Sequence, residues 1–127
     1  MNVPLILATL LSFLTLLAHA LTGENALLAP IAASDLSPAL KALVIILWHG
    51  ITGFLFMNTL ILAVATFRPN HQIVILIAMQ YLIFALVFVL VGQIQLGSPF
   101  IMPQWIVGFL ISVLCFIAIK QKINQHH

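Results

Sequence analysis

Two histidines that lie in long apolar runs, His19 and His49, are the residues of this chain most suited to chemistry. His19 lies in the segment LLAHALTGE (Leu16–Glu24), and His49 lies in LWHG (Leu47–Gly50). Ionisable side chains in membrane-spanning helices are costly and usually face the bundle interior with a partner. Imidazole suits iron, copper and zinc. His19 and His49 on neighbouring helices could therefore ligate a transition metal or a haem iron.

Further polar and aromatic residues are expected near the same end of the helices as the two histidines. With His19 and His49 they form a predicted ligand-binding set: Glu24, Trp48, Gln93, Gln104 and Trp105. Glu24 could complete a metal site or orient one imidazole through a hydrogen bond. The pattern lacks an HxxxH or HxxE pair on one helix, a CxxCH motif and a cysteine cluster, so it does not select one ligand.

Each of these residues also has a structural interpretation. A histidine near a helix end can simply donate a hydrogen bond to a carbonyl or to water. Trp48 and Trp105 are amphipathic and suit the membrane interface. Gly50 and Gly53 favour close helix packing, and the same gap could admit a flat cofactor. Both interpretations stay open at the level of the sequence.

The composition identifies an integral membrane protein. Of the 127 residues, 64% are hydrophobic and 5% are charged, whereas soluble domains carry about 25% charged residues. No soluble fold of this size could bury so much apolar surface. The four basic residues form no patch that would bind nucleic acid, and the single cysteine, Cys115, excludes an internal disulfide.

Four runs are long enough to span the hydrocarbon core, which takes about 20 residues as a helix. The predicted helices cover about residues 3–21, 38–66, 72–92 and 101–119 of a single domain, 1–127. We expect an antiparallel all-α four-helix bundle. Ser37-Pro38, Asn70 and Ser98-Pro99 are typical helix starts. In the first connection, NALLAPIAA could form a short interfacial helix or a re-entrant piece.

The charges predict the orientation. Arg68, Lys120 and Lys122 would lie on one side of the membrane and Lys41 on the other, so the positive-inside rule places both termini in the cytoplasm. Ala18-His19-Ala20 resembles a signal-peptidase site, but the usual positive n-region is missing. We therefore interpret the first run as a spanning helix. We interpret the final pair, His126 and His127, as remnants of a purification tag and assign them no function.

The inner, cytoplasmic half of the predicted spans contains fewer polar residues. It holds Asn58, Gln80 and Cys115 among aliphatic residues. We expect Asn58 and Gln80 to be interhelical hydrogen-bond partners, and Cys115 to be a small packing residue.

The two histidine segments resemble a group of small, uncharacterised bacterial four-helix inner-membrane proteins. In that group a first helix ends in a histidine followed by Gly-Glu, and a second helix carries Trp-His. His19, Gly23, Glu24, Trp48 and His49 match this pattern. The resemblance covers about the first half of the chain. It implies a multi-pass protein of the bacterial inner membrane and favours His19, Glu24 and His49 acting as a set, but it implies no activity.

Three functions are compatible with these observations. The first is a non-enzymatic inner-membrane protein whose outer-leaflet polar pocket binds a small ligand, a metal or haem, and which forms homo-oligomers or joins other membrane subunits. The second is a structural accessory subunit of a larger membrane complex. The third is a membrane enzyme that acts on a lipid or quinone with His49 as acid-base group. No GxSxG motif is present, and the spans contain no acidic residue of the kind that pumps and charged channels use.

Overall fold

The computed structural model describes residues 2–68 and 70–123, and in these residues the regular structure is helical. Four helical segments are long and apolar enough to span a membrane: Val3–Ala33, Pro38–Phe67, His71–Leu96 and Gln104–Gln121. The prediction of an all-α protein with four such helices is confirmed. His126 and His127 lie outside the described residues.

The first helical segment is longer than the sequence predicts. Helix α1 (Val3–Gly23) continues through a π-helical turn (Glu24–Leu28) into helix α2 (Ala29–Ala33). The backbone N–H of Ala29 donates to the carbonyl of Glu24, one residue further back than in an α-helix. This wider turn precedes Pro30, which has no N–H to donate and would clash with an α-helical turn before it. The NALLAPIAA segment is therefore a continuation of the first helix.

The second and third spanning helices begin at the predicted capping residues, whereas Ser98 caps a 3₁₀ turn and the fourth begins at Gln104 rather than at about residue 101. Helix α3 (Pro38–Phe67) starts after Ser37, whose hydroxyl accepts from the N–H of Leu40, and helix α4 (His71–Leu96) starts after Asn70. Gly97 ends α4 with a φ of 74°, a left-handed conformation that favours glycine. A 3₁₀ turn (Pro99–Ile101) then leads into helix α5 (Gln104–Ile123).

Helix α1 packs against both α3 and α5, and α5 packs against α4. The amide Nδ2 of Asn2, which caps α1, donates to the carbonyl of Ala118 at 2.9 Å. Gly108 of α5 lies against the backbone of Tyr81, so α4 and α5 approach closely there. The shared core combines the start of α1 with the end of α3, the start of α4 and the end of α5, and it includes Leu5, Leu62, Ile77 and Ile111.

Burial is uneven along helix α3. Its buried residues, Leu55, Asn58, Leu62 and Ala65, all lie in the second half of the helix. Among the described residues 38–54, no side chain is buried. We call Pro38–Phe54 the free half of α3. It lies beside the end of α1 that carries His19, and this end of the bundle is called the His19 end below.

Candidate functional site

The side chains of His19 and Trp48 form one stacked pair at the His19 end. Their ring centroids are 3.7 Å apart and the ring planes differ by 15°. The Nε2–H of His19 donates to the backbone carbonyl of Trp48 at 3.3 Å, and the hydroxyl of Thr52 donates to the same carbonyl at 3.0 Å. The half-buried imidazole thus holds α1 against α3 through both a ring contact and a hydrogen bond.

Gly23 makes this arrangement possible. It lies one helical turn after His19, on the same face of α1. A Cβ atom at residue 23 would overlap the indole ring of Trp48, because that ring lies directly on the glycine backbone. Three of the residues on which the sequence resemblance rests, His19, Gly23 and Trp48, therefore form a packing contact in this structure.

His49 does not share this contact. Successive residues of an α-helix point about 100° apart, so His49 turns away from the side of α3 on which Trp48 meets His19. Its side chain is exposed. Beyond Gly50 and Gly53 on the same half-helix, the described residues leave open space. The predicted metal or haem site at His19 and His49 stays a prediction.

The other predicted ligand-binding residues lie mostly at the surface. Glu24, Gln93 and Gln104 are exposed. Trp105 is half-buried, donates from Nε1 to the carbonyl of Pro99 at 3.2 Å and meets the ring of Phe100 edge-on at 5.7 Å. Trp105 therefore fastens the 3₁₀ turn to α5. Within residues 2–68 and 70–123, no group of three or more His, Cys, Asp or Glu side chains is placed to hold a metal ion.

A second polar cluster lies in the middle of the bundle, where sequence reasoning did not place one. The hydroxyl oxygen of Ser12 is 2.7 Å from Oγ1 of Thr59 and 2.6 Å from the hydroxyl of Tyr81. Ser12 is fully buried and Tyr81 nearly so. The three side chains connect α1, α3 and α4, and we call them the hydroxyl chain.

The hydroxyl chain has one direction. Thr59 donates its only hydroxyl hydrogen to the carbonyl of Leu55 at 2.8 Å. Thr59 must therefore accept from Ser12, and Ser12, having given its own hydrogen, must accept from Tyr81. Each hydroxyl group of the chain thus donates its hydrogen to the next oxygen, from Tyr81 to Ser12, to Thr59 and to the Leu55 carbonyl.

The partners of Ser12 indicate a structural role. Both are hydroxyl groups, neither of which is a base that could deprotonate a serine for nucleophilic attack. One signal in the sequence could have identified the cluster, because Tyr81 is the only tyrosine and a buried tyrosine hydroxyl usually has a partner. Ser12 and Thr59 gave no such signal, since most serines and threonines in helices bond to their own backbone.

Asn58 and Gln80 flank the hydroxyl chain along α3 and α4. Asn58 is 4% exposed. Within the described chain, its Nδ2 and the shielded Oε1 of Gln80 have no hydrogen-bond partner. The expectation that these two amides satisfy each other or a neighbouring helix directly is therefore wrong for these two atoms.

Comparison with known proteins adds no further assignment. No protein-family model, curated protein or solved structure matches this chain.

Proposed function

We propose that this chain is a non-enzymatic accessory subunit of a bacterial inner-membrane complex, an antiparallel four-helix bundle with both termini cytoplasmic. In this proposal it docks another membrane protein through two adjacent parts of the structure. These are the free half of α3 and the helical segment before it, which consists of the π-helical turn and α2. The observation that carries the proposal is the length of the first two helical segments, which are both apolar and too long for the bilayer.

The segment Val3–Ala33 has 31 residues and Pro38–Phe67 has 30. At about 1.5 Å per residue each is about 45 Å long, whereas the hydrocarbon core is about 30 Å thick. Tilt alone would have to exceed the roughly 40° seen for membrane helices to absorb this difference. By contrast, helix α5 (Gln104–Ile123) has 20 described residues, about the length that the hydrocarbon core requires.

The contacts of the hydroxyl chain relate the helices to one another. The last residue of α2 and the first residue of α3 both lie about 31 Å along the helix axis from the Ser12–Thr59 contact. On α4, the member of the hydroxyl chain is Tyr81, and the helix ends about 22 Å beyond it. If Arg68 marks the cytoplasmic boundary, the outer boundary falls near Trp48, and about 15 Å of the first two segments extend beyond the hydrocarbon core.

This extension is a defined helical hairpin. It comprises the π-helical turn, α2 and the beginning of α3, and the Nζ of Lys41 donates to the carbonyl of Ala32 at 2.7 Å to join its two sides. We call residues 24–47 the projecting hairpin. Its exposed large apolar side chains are Leu36, Leu40, Leu43, Ile45, Ile46 and Leu47. Apolar surface of this kind outside the hydrocarbon core marks a site of protein interaction.

His49 and the glycines extend the same surface into the membrane. Ile46 is 66% exposed, and His49, Gly50 and Gly53 follow it along the free half. Polar side chains and small residues are the features that drive association between membrane helices, because lipid tails offer no hydrogen bond and glycine allows close approach. The exposed His49 would obtain its hydrogen-bond partner from the docked protein.

The charges favour a different protein over a second copy. Glu24, at the base of the projecting hairpin, and Asp35, in the turn at its tip, are both exposed. A two-fold contact between identical hairpins places the same patch on both sides and would bring both acids of each copy into one interface against a single cation per copy, Lys41. A partner with basic residues at this level avoids that repulsion.

A photo-crosslinking experiment tests the proposal. A photoreactive side chain at Leu43, on the projecting hairpin, is compared with one at Leu76, which is also exposed but lies on α4. The expected result is one discrete protein adduct from Leu43 that is absent from Leu76 and that is lost when Ile46→Glu is added.

The adduct's composition decides between the occupants. An adduct of two copies of this chain would replace the accessory role with self-association. Crosslinks to lipid alone at both positions would overturn the docking proposal. Retention of the helical circular-dichroism signal in the Ile46→Glu variant shows that lost crosslinking is not lost folding.

A further inference from the structure

Helix register places Asn58 and Gln80, each with one shielded amide atom that has no partner among the described residues, next to the same contact between α3 and α4. The rings of Phe54 and Phe84 meet across these helices with centroids 5.3 Å apart. Asn58 lies one turn after Phe54, and Gln80 lies one turn before Phe84, so each amide shares a helix face with one of the two rings. Both amides are displaced from the ring contact in the same direction, toward the turn that joins α3 and α4.

The hydroxyl chain independently indicates the same alignment of α3 with α4. Thr59 and Tyr81, which follow Asn58 and Gln80 directly in the sequence, both reach the hydroxyl of Ser12. Residues 58 and 80 therefore lie at one level of the bundle, near the middle of the spans.

This position is closed on two sides. Toward the turn, Leu62 and Ile77 are buried in the shared core. Toward the His19 end, the Phe54–Phe84 contact covers it. Asn58 is 96% shielded by the protein itself, as its 4% exposure shows, so the lipid chains do not explain how its amide is satisfied.

The unmet hydrogen bonds are complementary. Nδ2 of Asn58 offers a hydrogen, and Oε1 of Gln80 offers a lone pair, yet the two atoms do not bond to each other or to another described residue. A cation would be repelled by the amide N–H group, and an anion by the carbonyl oxygen. A neutral hydroxyl group satisfies both, because its oxygen accepts from Asn58 while its hydrogen is donated to Gln80.

We propose that Asn58 and Gln80 form a binding site for one hydroxyl group at the centre of the membrane, supplied by a water molecule or by an alcohol-bearing lipid. Buried waters typically satisfy polar groups left unpaired by the protein. An alcohol on an amphiphile would make the same two hydrogen bonds and would extend its apolar part along the seam between α3 and α4, where the two helices pack less closely than α4 and α5.

Solid-state NMR of the full chain in bilayers tests the site without altering it. Side-chain amides of asparagine and glutamine are labelled with ¹⁵N, and magnetisation is transferred from hydroxyl hydrogens to them. The bilayer is phosphatidylcholine, whose molecules carry no hydroxyl group, either alone or with added monoacylglycerol. Asn70, which is exposed, is the internal positive control, and Asn58→Leu identifies the Asn58 signal.

Three outcomes are distinguishable. Transfer from water to the Asn58 amide in phosphatidylcholine alone, lost after exchange into D₂O, assigns the site to water. Transfer that needs monoacylglycerol assigns it to a lipid alcohol. If neither condition gives transfer while the Asn70 control does, the amides are satisfied without a hydroxyl group and the proposal is overturned. The Gln80 amide gives a second readout in the unmodified chain, so the test does not depend on folding of the Asn58 variant.

Discussion

The imidazole of His19 lies flat against the indole of Trp48, with centroids 3.7 Å apart, and also donates to the Trp48 carbonyl. The α3 residue that contacts His19 through its ring is thus the tryptophan of the Trp-His pair, and the histidine beside it is exposed. This relationship separates two roles that the sequence could not separate. His19 fastens α1 to α3, whereas the exposed His49 is the residue that meets the partner in the proposed function.

We expect Gly23→Ala to displace Trp48 from His19, because the added methyl group occupies the position of the indole. Overpacking of this kind costs about 1–3 kcal/mol of the free energy of unfolding. The change is measured by denaturant unfolding in detergent and by the fluorescence of Trp48 in a Trp105→Phe background. Gly50→Ala is the matched control, since the described residues leave space at Gly50. Equal stability of the two variants would contradict the packing role of Gly23.

We expect His19→Ala and Tyr81→Phe to destabilise the bundle independently. His19→Ala removes a ring contact worth about 0.5–1.5 kcal/mol, and Tyr81→Phe removes the donor that begins the hydroxyl chain. Hydrogen bonds between membrane helices contribute about 0.6 kcal/mol each. The two sites share no partner, so the effects should add in the double variant. A large coupling energy would show that the His19 end and the hydroxyl chain form one network.

The hydroxyl chain also predicts an order of effects. Ser12→Ala removes two hydrogen bonds and leaves Tyr81 without an acceptor, so it should lower the free energy of unfolding more than Tyr81→Phe does. Thr15→Ala is a suitable control, because among the described residues the Thr15 hydroxyl bonds only to the carbonyl of Leu11 in its own helix. If Tyr81→Phe proves at least as costly as Ser12→Ala, the two hydrogen bonds of Ser12 do not both stabilise the bundle and the linking role of Ser12 is wrong.

The sequence predicts helices well and lateral contacts poorly, for identifiable reasons. Helix α4 begins at His71 after the expected cap, Asn70, because apolar length and capping chemistry are local properties. Residues 22–33 continue the first helix because a π-helical turn accommodates Pro30. The residues around Pro30 do not by themselves indicate such a turn. The partner of His19 depends on the rotation of α3 about its axis. A rotation of about 100°, the angle between successive residues, would place His49 where Trp48 now lies.

The metal and haem hypothesis has a direct measurement. If the accessory role is correct, purified protein should show no Soret band and no stoichiometric iron, copper or zinc. A Soret band that is lost in both His19→Ala and His49→Ala would restore the ligand-site hypothesis. Bis-histidine ligation would then require α3 to rotate, because His49 faces away from His19 and Nε2 of His19 is hydrogen-bonded to the Trp48 carbonyl.

The proposed orientation is tested by cysteine labelling in intact cells. Cys115 is fully buried, and Cys115→Ser gives a background without native cysteine. In that background Asp35→Cys, which lies in the turn between α2 and α3, and Gln121→Cys, near the end of α5, introduce single exposed thiols. With both termini cytoplasmic, a membrane-impermeant maleimide should label residue 35 in intact spheroplasts and residue 121 only after lysis. The reverse pattern would place the projecting hairpin, and hence its partner, on the cytoplasmic side. A soluble cytoplasmic protein with one exposed thiol detects leaking spheroplasts in the same sample, and labelling of both positions while that protein stays unlabelled would overturn the proposed topology.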